Sequence, residues 1–262
     1  MTKILFDIKN LNFSIGKKEI LKSLSLQIYE GDYLSIIGPN GSGKTTLIKC
    51  LNKIYSPPKE KIFFKNVAIE NIGQKKLASQ ISYVPQVNEQ SFPFTVKDFL
   101  MLARYPHFSR FSTVTPQDKK AVNDALEITE SSQFAERQIN TLSGGEKQMI
   151  FIAAALAQGG EVILLDEPAT FLDPKHEQKI YEILKTIHKQ ENKTIVTVTH
   201  NINSAILYSN KIALIKEGQI NFYGNPDAIT RNNILENAYG KKFIFIKHPA
   251  NNKHIILPEV IE

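Results

Sequence analysis

The stretch Gly38-Pro39-Asn40-Gly41-Ser42-Gly43-Lys44-Thr45-Thr46 fits the pattern G-x-x-x-x-G-K-[ST], whose residue types and spacing are those of a phosphate-binding loop. Glycines at 38, 41 and 43 permit backbone angles and close approach that a side chain would forbid, so successive amide N–H groups can converge on phosphate oxygens at a helix N-terminus. Lys44 adds a point charge for β- and γ-phosphates, and Thr45 is placed to put its hydroxyl on Mg²⁺. Farther along, Asp166-Glu167 follows a short apolar run. A carboxylate ending a buried strand can hold Mg²⁺ directly or through water, and Glu167, one residue on, can take the proton of an attacking water. The competing reading of this acidic pair is a capped helix start. Ser143 and Glu146 have capping-box spacing, and Gly144 and Gly145 inside it expose backbone N–H groups, so a well-made helix start is here an anion site as well.

The elements that must position these residues are legible around them. Tyr33 to Ile37 reads as a buried strand and Thr46 to Leu51 as the first turns of a helix, which is the setting the loop requires. Before it, Ile4–Ile8, Leu11–Ile15 and Leu24–Ile28 alternate apolar and polar residues, with turns at Gly16-Lys17-Lys18 and Glu30-Gly31-Asp32, as an antiparallel β layer does. Lys61–Phe64 is expected as a strand, with charged outward positions that suit a sheet edge, ending at Asn66 in a left-handed turn. Lys75–Gln80 is expected as a short helix and Ile81–Val84 as a strand delivering Gln86. From Val87 to Gln138 strand signals stop and helical spacing takes over at Val96–Arg104 and Pro116–Glu130, a separate lobe that closes with Leu142–Gln148 and the helix Met149–Ala157. Glu161–Leu165, the helix Lys175–Gln190 and the strand Thr194–Thr199, which ends in His200, alternate as a parallel sheet flanked by helices does.

Composition narrows the class. The 262 residues are 42% hydrophobic and 22% charged, enough for one large α/β domain and a smaller lobe. The apolar run Met149–Ala157 is far short of the ~20 residues of a spanning helix, and residues 1–10 lack the apolar core of a signal peptide, so a cytoplasmic chain is expected. A single cysteine, Cys50, forms no internal disulfide and is expected in the core. The net charge of +6 is spread along the chain, and no zinc-finger spacing, RNA-binding aromatic motif or basic heptad array accompanies it, so nucleic acid is not expected as a partner.

Gln86, Leu142–Gln148, Asp166-Glu167 with Asp173, and His200 stand in the order and spacing of an ABC-transporter ATPase subunit, which the chain resembles from about Leu5 to Pro258. The stretch Asp98–Phe111, with Arg104-Tyr105-Pro106-His107 inside it, and the tail Tyr239–Pro258 look like the ATPases of iron-chelate, haem and cobalamin importers. The resemblance implies an α/β fold with a P-loop NTPase (RecA-like) core, an N-terminal antiparallel β layer and an inserted helical subdomain. It sets out one domain over 1–262, with the core at 1–86 and 155–240, the helical signature subdomain at 87–154 and a C-terminal β extension at 241–262. It implies ATP and Mg²⁺ as cofactors, Glu167, His200, Lys44 and Gln86 as catalytic groups, and Thr45, Gln86 and Asp166 at the metal. Residues 38–46, Ser143, Gly144, Gly145 and Asp173 would contact nucleotide, with Ser143–Gly145 reaching the γ-phosphate held by a second, head-to-tail copy. Further partners implied are integral-membrane permease subunits and, indirectly, an extracytoplasmic substrate-binding protein, at the cytoplasmic face of the membrane. A soluble ABC-type ATPase acting on nucleic acid or ribosomes is the rival; such proteins usually carry two nucleotide domains or a long coiled coil, which this chain lacks.

Three departures stand out. The position that usually supplies an aromatic ring for adenine is Ile15, with Phe13 the nearest aromatic, which bears on base stacking. His200 is followed by Asn201 where the subfamily commonly has Asp, and the loop before Asp173 reads Ala169-Thr170-Phe171, and neither of these two removes a group that does the chemistry. Phe92, Phe94 and Phe99 divide evenly between a docking groove for a permease and the core of the helical lobe.

Overall fold

Alternation of apolar and polar residues from Ile4 onward yields two twelve-residue antiparallel strands in the computed structural model, β1 (Ile4–Ile15) and β2 (Lys18–Tyr29), joined by a turn at Gly16 with φ 60°. The structure describes residues 3–86, 93–109, 113–249 and 252–259. The two strand segments expected before Gly16 are one continuous strand. Asn10 adopts φ 44° at a register shift, and its amide and side-chain oxygen both bond Ser25 Oγ, at 2.9 and 3.2 Å, which carries the ladder across the bulge.

The chain forms two compact units, one of residues 1–72 with 196–262 and the other of residues 73–195. In the first, β1 and β2 are followed by β3 (Tyr33–Ile37), α1 (Lys44–Leu51), β4 (Ile62–Phe64) and β5 (Val67–Ala68). The second holds α2 (Gln74–Ala78), β6 (Ile81–Val84), α3 (Val96–Ala103), α4 (Pro116–Ile128), α5 (Gly144–Gln158), β7 (Val162–Asp166) and α6 (Pro174–Gln190). β8 (Thr194–Val198) divides between them. The first unit then adds α7 (Ile202–Tyr208), β9 (Lys211–Lys216), β10 (Gln219–Gly224), α8 (Ile234–Tyr239), β11 (Phe243–Lys247) and β12 (His254–Pro258).

Within the first unit β2, β1, β4 and β5 lie in that order in one antiparallel sheet. The charged stretch around Lys61 is therefore not a sheet edge: β4 sits between β1 and β5, with Ile62 and Phe64 buried, and the chain reverses at Lys65 and Asn66, both at positive φ. The central pairing of this unit is parallel, β3 with β9, and β10 returns antiparallel on β9. β11 and β12 form a C-terminal hairpin fastened to α7 by Asn203, whose amide donates to Ile256 O at 3.0 Å and accepts from Ile256 N at 2.7 Å, as a neighbouring strand would. Cys50 is buried on α1, as expected.

In the second unit β6 pairs parallel with β7, every residue of which is buried, as the short apolar run requires. α3, α4 and α5 enclose a core of Val96, Leu100, Val122, Leu126, Ile139 and Ile150 among others. Between residues 93 and 158, among the described residues, the only β contact is an isolated bridge from Thr95 to Gln138, so strand signals stop where they were expected to. Capping boxes start α4 (Thr115 with Asp118) and α5 (Ser143 with Glu146), and Gly159 at φ 85° ends α5.

Candidate nucleotide site

β3 is buried along its whole length and delivers Gly38 at φ 147°, where a Cβ would stand 2.0 Å from Ile215 O. No side chain fits there. Gly43 is constrained by its backbone, at φ 104° where a side chain is strained, and it precedes α1 without any side-chain cap. No acidic residue stands in the first turn of α1, which suits an anion at that helix start. Asn40 and Gly41 are exposed at the crest of the loop, Pro39 and Thr45 are half-buried, and Ser42, Lys44 and Thr46 are buried. Lys44 Nζ folds back onto Gly38 O at 2.8 Å and Pro39 O at 3.0 Å. Ser42 Oγ is buried with no hydrogen-bond partner among the described residues, a polar atom inside the loop awaiting one. Behind the loop, burial pushes the Tyr239 phenol up to about 12, against a smaller opposing pull from the Gly38 backbone.

His200 belongs to the same unit as the loop. Thr199 N donates to Ile36 O at 3.1 Å, which sets the end of β8 beside the end of β3, and exposed His200 follows at once. Asn201 caps α7 by accepting from Ser204 N at 3.0 Å, so the replacement of Asp at this position keeps the capping oxygen.

The second unit gathers Gln86, Asp166, Glu167, the Ser143–Gly145 turn and Asp173. Asp166 ends β7 and is buried, with the Tyr83 hydroxyl at 3.5 Å. Glu167, directly after the end of β7, adopts φ 52°, unusual for a residue with a side chain. Its Oε2 accepts from Thr170 Oγ1 at 3.0 Å and from Gln86 Nε2 at 3.4 Å. Asp173 caps α6, accepting from Lys175 N at 3.0 Å and His176 N at 3.1 Å, and its other oxygen meets His176 Nδ1 at 2.5 Å. That histidine bond, ahead of the backbone bonds, holds the Asp173 carboxyl below the usual range. The Ser143 backbone, ahead of its hydroxyl, does the same for Glu146. Sequence reasoning missed Thr170, Tyr83, His176 and Tyr239; of these only His176 had a local signal, standing three residues after a helix-capping Asp.

A profile of the family described as ABC transporter matches residues 21–170. The iron(3+)-hydroxamate import ATP-binding protein FhuC of Bacillus subtilis (strain 168) is 32% identical over 249 residues, 95% of this chain and 93% of that protein. The chain belongs to the ABC-transporter family. As a member it binds and hydrolyses ATP, and it has the family's mixed α/β fold with the P-loop NTPase core. An ABC transporter assigned to the metal-chelate type, solved in an inward-facing conformation, matches it with a TM-score of 0.84 at 25% identity over 98% of both chains. The ATP-binding cassette MJ0796, solved as a dimer in a post-hydrolysis state with ADP and phosphate, matches with a TM-score of 0.71 at 28% identity, over 85% of this chain and 99% of that one. In this ABC ATPase no described helix is long and apolar enough to cross a membrane.

Proposed function

We propose that this chain is the ATP-hydrolysing subunit of an importer of ferric chelates, working as a head-to-tail pair docked on a separate membrane permease at the cytoplasmic face, with cargo delivered to the permease by an extracytoplasmic binding protein. The turnover reading is carried by Glu167, a carboxylate directly after the end of a buried strand and held by Thr170 and Gln86, next to Asp166. The cargo reading is supported by the printed function of the Bacillus subtilis relative and by the metal-chelate type of the matching transporter. The MJ0796 dimer supports the pair.

Mg²⁺ is usually bound by one or two carboxylates together with substrate phosphates and water. Asp166 offers the carboxylate, Thr45 the hydroxyl and Gln86 an amide oxygen, and the metal, when bound, neutralises charge on the phosphates. Lys44 and the loop amides bind the phosphates, Ser143 to Gly145 and Asp173 reach the nucleotide of the second copy, and His200 donates to the γ-phosphate. Glu167 accepts the proton of the attacking water.

The test is a Glu167→Gln replacement, both as purified protein and in the cell. The variant should bind Mg·ATP normally, lose about 10²- to 10⁴-fold in hydrolysis, and remain paired on the nucleotide it cannot cleave. Cells carrying it should stop accumulating radiolabelled ferric hydroxamate. Uptake at the wild-type rate would overturn the cargo, and an unchanged hydrolysis rate would overturn the base.

A further inference from the structure

His176 does more than finish the first turn of α6. Asp173 Oδ1 already accepts both free amides of that turn, from Lys175 and His176, so the helix start is satisfied without the imidazole. The ring makes a separate bond, Nδ1 to Asp173 Oδ2 at 2.5 Å. An ionised carboxylate only accepts, so Nδ1 carries the hydrogen and the ring is fixed in one orientation.

The other side of the ring lies on a different helix. A Cβ at Gly145 would stand 2.6 Å from His176 Cδ2 and 2.7 Å from Cγ. Gly145 is not among the glycines at positive φ, so backbone conformation does not demand a glycine there. The space taken by the imidazole does. Gly144, one residue earlier, would meet nothing within 4 Å, which leaves its side of the α5 start open for a ligand. One imidazole thus joins the N-terminus of α5 to the cap of α6. From Asp173 the connection continues through residues 168–172 to the base, where Thr170 binds Glu167 twice, N to the backbone O at 3.3 Å and Oγ1 to Oε2 at 3.0 Å.

We infer that His176 is a positioning residue, holding the Asp173 carboxylate against the Gly144–Gly145 turn so that nucleotide contact at that turn sets the Thr170–Glu167 pair of the same chain for hydrolysis. The inference rests on the proposed pairing of two copies around nucleotide. ATP bound by the loop of a single chain does not pass through His176, so its affinity is untouched by loss of the ring; turnover is what suffers.

Steady-state hydrolysis and equilibrium Mg·ATP binding of wild type, His176→Ala and His176→Asn decide the matter. Asn retains an N–H donor near the Nδ1 position without the ring's bulk. Displacement of a reacting group by a fraction of an ångström to an ångström lowers rates by roughly ten- to a hundredfold. His176→Ala should therefore lose about tenfold or more in kcat, with KM and binding within about twofold, and His176→Asn should recover most of the rate. A kcat for His176→Ala within twofold of wild type overturns the inference, as does an Asn variant as slow as the Ala variant, which would assign the effect to packing on Gly145. A wild-type specific activity that does not rise with chain concentration would sink the proposed pairing instead, so the two failures are distinguishable.

Discussion

Ile15 closes the β1–β2 hairpin opposite Lys18, and it is 47% exposed. The same hairpin reaches the phosphate loop through Ile20 and Leu21, whose atoms a Cβ at Gly43 would meet, so the departure at Ile15 falls on an element that flanks the loop. Phe13 does not stand in for the missing ring. It is stacked on Tyr55, with centroids 5.6 Å apart and planes at 16°, and Lys49 Nζ lies 5.5 Å from that tyrosine ring. Stacking a base on an aromatic side chain contributes roughly 1–3 kcal/mol, or about five- to 150-fold in affinity. In the proposed function Lys44, Thr45 and the loop amides contact groups common to all nucleoside triphosphates. GTP should accordingly bind within roughly tenfold of ATP, and Ile15→Tyr should tighten ATP. Titration of both proteins with both nucleotides measures this, and a strong ATP preference in the wild type would mean that Phe13 leaves Tyr55 to take the base.

At the scale of elements, the Arg104-Tyr105-Pro106-His107 stretch acquires a physical role. Arg104 follows α3, and its Nη1 donates to Ala157 O at 2.7 Å while its Nε donates to Asp118 at 3.0 Å; His107 Nε2 meets Gln158 O at 2.7 Å. Arg104 and His107 therefore supply donors to the last carbonyls of α5, where the helix dipole favours positive charge, and Arg104 ties that end to α4. Asp118 is held at about 2, first by the Thr115 hydroxyl, then by the Thr115 amide, with burial opposing and Arg104 assisting. A lowered value means that the stabilisation is complete above the unfolded value of 3.8 and is lost as pH falls through about 2. Asp118→Asn should cost about 2 kcal/mol at neutral pH, and urea melts should show the gap to wild type closing between those two pH values; a gap that stays constant would argue against the carboxylate. The network also marks where sequence reading stops. The loop, the Ser143–Glu146 box and Ile81–Val84 are written in adjacent residues and were legible. Arg104 meets Ala157 across 53 positions and Tyr83 meets Asp166 across 83, and no local pattern announces such pairs. The place of β4 between β1 and β5 is hidden for the same reason, since alternation fixes which side chains face inward and says nothing about which strands lie on either side.

For the whole molecule, the open surfaces matter as much as the core. One chain carries one phosphate loop and one Ser143–Gly145 turn; in the proposed function a second copy completes the nucleotide sites, and a permease then needs a third surface. The phenylalanines of the helical lobe narrow the choice. Phe92 lies outside the described residues. Phe99 packs on the lobe's core, with its ring 5.3 Å from that of Phe151, and so serves stability. Phe94 is 40% exposed while its backbone is anchored, Ile139 N donating to its carbonyl at 3.1 Å beside the Thr95–Gln138 bridge. A fixed backbone presenting an apolar ring to solvent, a few residues after Gln86 and directly before α3, is a preorganised contact. Phe94→Asp removes that ring without disturbing buried groups, so stability and soluble ATPase activity should stay within about twofold of wild type. Recruitment of the chain to permease-containing membranes, measured by co-sedimentation, should fall by about tenfold or more, as truncation of a central aromatic anchor does. The matched change Phe99→Asp should instead unfold the lobe, because it buries a charge against Phe151. Undiminished co-sedimentation of Phe94→Asp would remove this ring from the docking surface and turn attention to Leu102, Tyr105 and Val114, which are also exposed on the lobe.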